Sequence, residues 1–266
     1  MKISIKAISL SVLFGVFSSA QAQTASTSGP VPATVTSDWK FNLGAAVIST
    51  PYFIGSDNQR FLAVPTFQIR YQDWFFIDPF RGIGYQSKLS DALIATAAIS
   101  FDPTERKTED DARLTGLGDI SMAPAVRLGL NYRSGRAFVN ANMISRLAAN
   151  NARGMVFEAD IGYNVLASRN AIVGIGLNLK GMDNTYARNF FGVSTSQSAA
   201  SSLAVFGAKG GLQSSGLFVQ AIVPVSERWT FFGRAGYNQL GGDAGASPII
   251  INRNQIILLS TLSYAF

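Results

Sequence analysis

Cysteine and histidine are both absent from the 266 residues of this chain. Their absence excludes a disulfide framework, metal sites built from thiolate or imidazole, and Ser-His or Cys-His nucleophile pairs. Charged residues are scarce at 14%, against the about 25% that is usual for soluble domains. No apolar stretch reaches the roughly 18 residues that a membrane-spanning helix needs. These absences leave a soluble all-β protein or a transmembrane β-barrel.

The N-terminus has the pattern of a secretory signal peptide. Two lysines make its start basic, an apolar run follows, and Ala20-Gln21-Ala22 fits the small-x-small rule for cleavage. We expect a signal peptide at 1–22, with cleavage before Gln23, and a flexible leader rich in Ser, Thr and Pro at 23–37. The basic residues that follow are scattered rather than clustered, so nucleic acid is not an expected partner.

From position 38 to 266, apolar and polar residues alternate with a period of two. In 120–132 the even positions are almost all apolar and the odd ones small or polar, and 155–165 repeats this pattern. The alternation predicts strands with one apolar face. That face would meet a core in a soluble sandwich, or lipid in a barrel whose polar face lines the lumen.

Three features favour the barrel. Charged residues lie opposite the apolar faces and form a candidate lumen cluster of Arg127, Arg146, Glu158, Asp160 and Arg234. Aromatic residues gather near the predicted strand ends, as in the interfacial girdles of membrane barrels. The chain ends in an alternating segment with Tyr264 and Phe266, which resembles the C-terminal signal that the bacterial barrel assembly machinery recognises. The predicted domain at 38–266 is therefore an all-β, antiparallel transmembrane barrel in the outer membrane.

The segmentation predicts twelve strands, with ten or fourteen left as alternatives. They are Trp39–Thr50, Arg60–Tyr71, Trp74–Pro79, Gly82–Leu89, Ala92–Asp102, Gly118–Tyr132, Arg136–Ala148, Arg153–Ala167, Ala171–Asp183, Leu203–Val225, Trp229–Leu240 and Asn254–Phe266. The short turns then fall on one side and the long segments on the other. The tenth strand is long enough to hide a hairpin at Gln213–Gly216. Bulges are expected at Pro65, Pro124 and Pro224, which lack a donor for the ladder.

Four segments of the chain resemble motifs of one family. They are Pro51–Ser56, Leu114–Ile120, Phe190–Val193 (with Phe190 in place of the usual Tyr) and Leu240–Ile249. In this order they resemble the MipA/OmpV family of outer-membrane proteins, named for a scaffold that interacts with the lytic transglycosylase MltA. The resemblance covers nearly all of the mature chain. It places the family-motif loop residues at Gly116, Gly118, Asp119, Phe191, Gly192, Asp243, Ser247 and Pro248.

The resemblance implies a non-enzymatic scaffold that links a lytic transglycosylase to a murein synthase through periplasmic turns. A small-solute channel and an adhesin that acts through its outer loops are the alternatives.

The lumen charges are compatible with a closed plug or a selective filter. The simplest role of the family-motif loop residues is to shape the loops, and ligand binding is the alternative. The acidic run Glu109-Asp110-Asp111 is a solvated loop tip or, less simply, a site for a hard cation. No cofactor is expected, and the missing histidine argues against catalysis.

Overall fold

The computed structural model describes residues 38–147 and 153–266, so the predicted signal peptide and leader lie outside the described residues. Twelve antiparallel strands form one closed barrel, in which β1 pairs with both β2 and β12. The predicted fold class and strand number are confirmed. The strands are β1 Trp39–Pro51, β2 Gln59–Tyr71, β3 Phe75–Asp78, β4 Gly82–Lys88, β5 Leu93–Asp102, β6 Ala123–Ser134, β7 Ala137–Arg146, β8 Gly154–Ala167, β9 Ile172–Met182, β10 Gly211–Pro224, β11 Trp229–Leu240 and β12 Asn254–Ala265.

The two faces of the barrel wall differ in chemistry as the alternation predicts. On β8, Phe157 and Ile161 are exposed on the outside, whereas Glu158 and Asp160 are buried on the inside. On β6, Leu128 is likewise exposed on the outside, whereas its neighbour Arg127 is buried on the inside. Every second residue of a strand thus faces lipid, and the low charged fraction of the sequence reflects this apolar outer band.

The two ends of the barrel differ in the length of their connections. The short-turn end carries the connections 72–74, 89–92, 135–136, 168–171 and 225–228. The long-loop end carries 103–122, 183–210 and 241–253, which contain a 3-10 turn at Ala112–Leu114 and the helices α1 Asn184–Phe191, α2 Thr195–Ala200 and α3 Gly242–Ala246. No helix in the described ranges is long and apolar enough to cross a membrane.

The third and fourth strands form a hairpin much shorter than its neighbours. β3 has 4 residues and β4 has 7, whereas β2 has 13. β3 pairs with β2 only at Ile69–Tyr71. The part of β2 before Ile69 therefore has a strand neighbour on the β1 side alone.

The bulges expected at the three prolines are not found. The register is continuous where Pro65 faces Ala45, and likewise at Pro124 and Pro224. Pro65 lies in the part of β2 that β3 does not reach, and the other two lie at or next to strand ends. At each of these positions, the strand has few or no backbone hydrogen bonds to its neighbour on one side. A proline, which lacks a backbone N–H, is tolerated at such places.

The register shifts lie elsewhere, between Asn164 and Leu166 on β8 and between Leu212 and Ser214 on β10. β10 is a single strand, so the hairpin considered at Gln213–Gly216 is absent. Its predicted start at Leu203 is wrong, because 203–210 belongs to the long loop that precedes the strand. The sixth strand also starts later than predicted, at Ala123.

Candidate functional site

An apolar layer lies inside the lumen toward the short-turn end. This layer, the apolar seal, consists of buried side chains from five strands and one turn: Ala46, Ile48, Leu62, Phe80, Ile222, Phe232 and Leu259. Phe80 comes from the turn between β3 and β4 and points into the barrel, where 3% of it remains exposed. One carboxylate oxygen of Asp78 accepts the N–H groups of Phe80 at 2.7 Å and of Arg81 at 3.1 Å. The turn is thus held in the conformation that places Phe80 in the seal.

Above the seal, charged side chains form ion pairs inside the barrel. Arg234 donates to both carboxylate oxygens of Asp160, at 2.8 and 3.0 Å. Lys180 lies 2.9 Å from Glu158. Each pair brings together residues of different strands, so that the attraction offsets part of the cost of removing both charges from water.

Arg146 pairs with Asp102 at 2.6 Å and also donates to the carbonyl oxygens of Thr104, at 3.1 Å, and Ser121, at 2.7 Å. Its guanidinium lies 5.1 Å from the ring centroid of Phe190 in α1. This one side chain therefore links the barrel wall to two loops at the long-loop end.

The predicted lumen cluster is placed inside the barrel, with pairings that the sequence does not specify. Arg234 and Asp160 pair within the cluster. Glu158 pairs instead with Lys180, and Arg146 with Asp102. Arg127 is buried, and its charge is attracted most strongly by Glu158 and less strongly by Asp102 and Asp78.

Asp102, Lys180 and Phe80 are missing from the sequence prediction. The signal for Asp102 and Lys180 is present, because each follows an outward apolar residue, Phe101 or Leu179, and so falls on the inner face. Phe80 lies in a turn, where the alternation of apolar and polar residues does not predict which way a side chain points.

A cavity of about 100 Å³ lies among the ion pairs. Its lining includes Glu158, Asn178, Lys180, Gln213, Ser214 and Arg234. Glu158 Oε2 and Gln213 Oε1 are buried without a hydrogen-bond partner in the described residues. The cavity is large enough for ordered water, which would satisfy these two acceptors.

The loops close the other end of the lumen. We call their two apolar clusters the loop cap. The first contains Tyr186, Phe190 and Phe191 of α1, together with Ile120 and Ala244. The second consists of Phe53, Leu114, Leu117, Val193 and Ile249. The five side chains of this second cluster come from the four family-like segments, so those segments meet in one place.

Polar contacts tie the loop cap together. Ser247 Oγ donates to the carbonyl oxygen of Phe191 at 2.6 Å, and Arg106 donates to that of Phe190 at 2.9 Å. Asp183 Oδ1 caps α1 by accepting the N–H of Tyr186 at 2.7 Å. Burial lowers the pKa of Arg106 to about 10 and raises the pKa of Tyr186 to about 12. Burial is thus the largest influence on both ionisable groups.

The other family-motif residues shape the same loops. Asp119 accepts hydrogen bonds from the N–H and hydroxyl of Thr108, and Asp243 accepts the N–H of Lys209. Gly192 ends α1, and Pro248 follows Ser247 in a turn. Gly116 has a φ of 85° and abuts the backbone of Ala200, while Gly118 has a φ of 77° in open space. These contacts favour the loop-shaping interpretation.

The acidic run in the β5–β6 loop also makes local contacts. Asp110 accepts the N–H of Lys107 at 3.0 Å, and Asp111 accepts that of Arg113 at 2.8 Å at the start of the 3-10 turn. Within 38–147 and 153–266, no cluster of three ligand-type side chains could hold a metal ion. The contacts thus fit a loop tip stabilised by its own carboxylates.

The short-turn end opens into a cavity of about 430 Å³, which we call the vestibule. Its lining includes Lys40, Asn42, Gln68, Arg70, Asp78 and Thr261. Phe80, Ile222 and Phe232 of the apolar seal form its floor. Leu259 of the same seal lines the central cavity, so the apolar seal lies between the vestibule and that cavity.

The two predicted assembly-signal residues lie beside the mouth of the vestibule. Tyr264 accepts a hydrogen bond from Arg228 at 2.8 Å and packs edge-on against Trp229, with ring centroids 5.1 Å apart. Phe266 donates its N–H to the carbonyl oxygen of Phe41 at 3.0 Å, and its side chain is 75% exposed. The last residue is thus held by its backbone while its ring stays exposed.

Solved structures of membrane barrels resemble the fold at low similarity. An outer membrane channel from Pseudomonas putida F1 has a TM-score of 0.43 at 10% identity, covering 90% of this chain and 100% of that one. The NanC porin has a TM-score of 0.40 at 9% identity, covering 85% and 98%. The monoaromatic hydrocarbon channel CymD has a TM-score of 0.41 at 10% identity, covering 85% and 87%. Similarities at this level carry no information about function.

The sequence itself gives a clearer relationship. No curated protein matches the chain. The family model described as MltA-interacting protein MipA matches residues 43–266, which include every strand from β2 to β12 and most of β1. The chain therefore belongs to the MipA family.

Proposed function

We propose that the protein is a non-catalytic scaffold of the bacterial outer membrane that brings a lytic transglycosylase together with a murein synthase. The observation that carries this proposal is the filled lumen, which holds the apolar seal, the buried ion pairs and the loop cap. A barrel filled in this way acts through its surfaces. The family description supplies the class of partner, because it names proteins that interact with MltA.

The apolar outer band supports a place in a bilayer, and the loop lengths support an orientation. Single-chain outer-membrane barrels have short periplasmic turns and longer outer loops. The short-turn end would then face the periplasm, where cell-wall enzymes act. The terminal segment with Tyr264 and Phe266 fits recognition by the barrel assembly machinery after export and signal-peptide cleavage.

Several features support a non-enzymatic role. The sequence has no histidine to serve as a general base and no cysteine nucleophile. The carboxylates of Asp160, Glu158 and Asp102 are each engaged by a basic side chain inside the barrel. Their simplest role is to balance buried positive charge.

A reconstitution experiment tests the scaffold. The full mature chain is placed in lipid vesicles and incubated with a purified MltA-type transglycosylase, alone and with a murein synthase. We expect saturable binding of the transglycosylase, and recovery of the synthase with the transglycosylase only when the barrel is present. Vesicles with an unrelated twelve-stranded barrel serve as the control. Equal recovery in both kinds of vesicle would overturn the proposal.

A channel is the second candidate, favoured by the charged interior around the central cavity. Planar-bilayer recordings separate the two. The filled lumen predicts no stable conductance steps for the unaltered protein. Reproducible steps that change with Arg234→Gln would assign a pore function instead.

A further inference from the structure

An excess of basic over acidic side chains lies at the short-turn end of the barrel. The basic residues there are Lys40, Arg70, Arg81, Lys88, Arg133, Arg136, Arg169 and Arg228, and the acidic ones are Asp38, Asp73, Asp78, Asp91 and Glu227. The two signs are balanced at the long-loop end. Its basic residues are Arg60, Arg106, Lys107, Arg113, Arg153, Arg188, Lys209 and Arg253. Its acidic residues are Asp57, Glu105, Glu109, Asp110, Asp111, Asp119, Asp183 and Asp243. A negatively charged partner is therefore attracted to the side of the short turns.

Two of these cations face each other at the mouth of the vestibule. Lys40 on β1 is directly opposite Arg70 on β2, and both line the cavity. Like charges in such a cross-strand pair repel each other and destabilise the sheet. Arg70 has the carboxylates of Asp78 and Asp73 near it, whereas no ion pair of Lys40 is found within the described residues. An incoming carboxylate would relieve the repulsion between Lys40 and Arg70.

Below the two cations, part of the vestibule wall is polar. Asn42 donates to Gln68 at 3.2 Å, and the side chains of Thr66, Thr261 and Ser263 line the same space. Amide and hydroxyl groups of this kind can donate to and accept from a peptide backbone. The volume of about 430 Å³ lies in the range of cavities that bind ligands.

We propose that the vestibule is a docking site for an acidic, extended segment of a periplasmic protein, with a carboxylate of that segment between Lys40 and Arg70. This inference rests on the proposed scaffold function and names the surface that performs it. The apolar seal gives the segment a floor, so that it enters the barrel without passing through. Electrostatic complementarity of this kind speeds association and weakens with salt.

Charge reversal at Lys40 tests the site. Lys40→Glu is compared with Lys209→Glu, an exposed lysine at the opposite end of the barrel, and with the conservative Lys40→Arg. Binding of the purified MltA-type transglycosylase to vesicles is measured at low and at physiological salt. We expect Lys40→Glu to weaken binding at least about tenfold and to reduce its salt dependence. Lys209→Glu and Lys40→Arg should stay within about twofold of the unaltered protein.

The outcomes separate the two proposals. If the unaltered protein and Lys40→Glu bind equally well, the docking site is wrong and the scaffold stands. If the unaltered protein binds no transglycosylase, both fall. If isolated murein binds to the unaltered protein but not to Lys40→Glu, the vestibule recognises carboxylates of the wall polymer, and the assignment to a protein segment is overturned. Gel migration without boiling shows that each variant remains a folded barrel.

Discussion

Arg234 on β11 holds both carboxylate oxygens of Asp160 on β8 across the inside of the barrel. Its guanidinium also lies 3.8 Å from the ring centroid of Phe218 on β10. Three strands of the wall are thus connected through one side chain. Breaking a buried pair leaves an uncompensated charge, which costs more than the pair contributes when intact.

We expect Asp160→Asn to lower the free energy of unfolding by about 3 kcal/mol, since Arg234 would keep its charge without a partner. The measurement is the midpoint of urea unfolding, followed by migration on gels without boiling. Asp57→Asn is the control, because Asp57 lies in an exposed loop and accepts a hydrogen bond from Asn58. The double variant Asp160→Asn/Arg234→Gln should recover part of the loss. Equal midpoints for Asp160→Asn and the control would contradict this prediction.

The apolar seal predicts how easily reagents reach the central cavity. Because the chain has no cysteine, Ser214→Cys places a single thiol at the cavity. Phe80→Ala in this background should raise the rate of labelling by a small charged thiol reagent at least about tenfold, since an apolar constriction excludes water. Phe61→Ala is the control, because that ring is 73% exposed on the outer wall. Fast labelling with Phe80 intact would show that the seal does not close the lumen.

Gly154 at the start of β8 should not tolerate a side chain. Its φ is 140°, and a Cβ there would lie 2.5 Å from Cβ and 2.6 Å from Cα of Tyr186. Gly135 also has a positive φ, of 57°, but open space around it. Gly135→Ala should cost about 1 kcal/mol, from backbone strain alone. Gly154→Ala should cost clearly more, measured by the same urea midpoints, and a smaller loss than for Gly135→Ala would refute the close packing of α1 on β8.

Burial of Tyr186 predicts a pH dependence at alkaline pH. Its pKa is raised to about 12 in the folded protein, chiefly by burial, from an ordinary value of 10.0. The hydroxyl therefore contributes stability that is present below pH 10 and is lost as the pH rises through the folded pKa. The difference in urea midpoint between the unaltered protein and Tyr186→Phe should fall between about pH 10 and 12. A difference that is constant over this interval would contradict the burial of the ionisable group.

The terminal ring should matter more for assembly than for stability. The Phe266 side chain is exposed, while its N–H is bound to the backbone of Phe41. Phe266→Ala should therefore leave the free energy of unfolding within about 0.5 kcal/mol, as is usual for exposed positions. It should slow folding into vesicles that contain the barrel assembly machinery. Leu262→Ala, on the outer face of the same strand, is the control, and equal rates for the two variants would refute a special role for the last residue.

Much of the wall could be predicted from the sequence, because alternation directly assigns each strand residue to one face. Arg127 and Glu158 follow this rule, and so do Asp102 and Lys180 once it is applied to them. The ion pairs could not be predicted in this way. The partners Asp160 and Arg234 are 74 positions apart, and their contact depends on how strands far apart in the sheet curve around one lumen.

The packing inside the lumen could also not be predicted from the sequence. The four family-like segments give no sign in themselves that Phe53, Leu114 and Ile249 meet in one cluster. Phe80 is a turn residue, and its inward direction depends on the Asp78 carboxylate that holds the turn. The apolar seal and the loop cap therefore depend on long-range packing of residues that local patterns describe only as loops.

The short hairpin of β3 and β4 gives the barrel a rim of uneven height. The 13 residues of β1 and β2 are enough to span a bilayer at a tilt, whereas the 4 of β3 and 7 of β4 are not. A hydrophobic surface shorter than the surrounding hydrocarbon is accommodated by thinning of the bilayer or by tilting of the protein. The membrane beside this hairpin is therefore under hydrophobic mismatch on one side of the barrel only, which gives the molecule a preferred direction in the plane of the membrane.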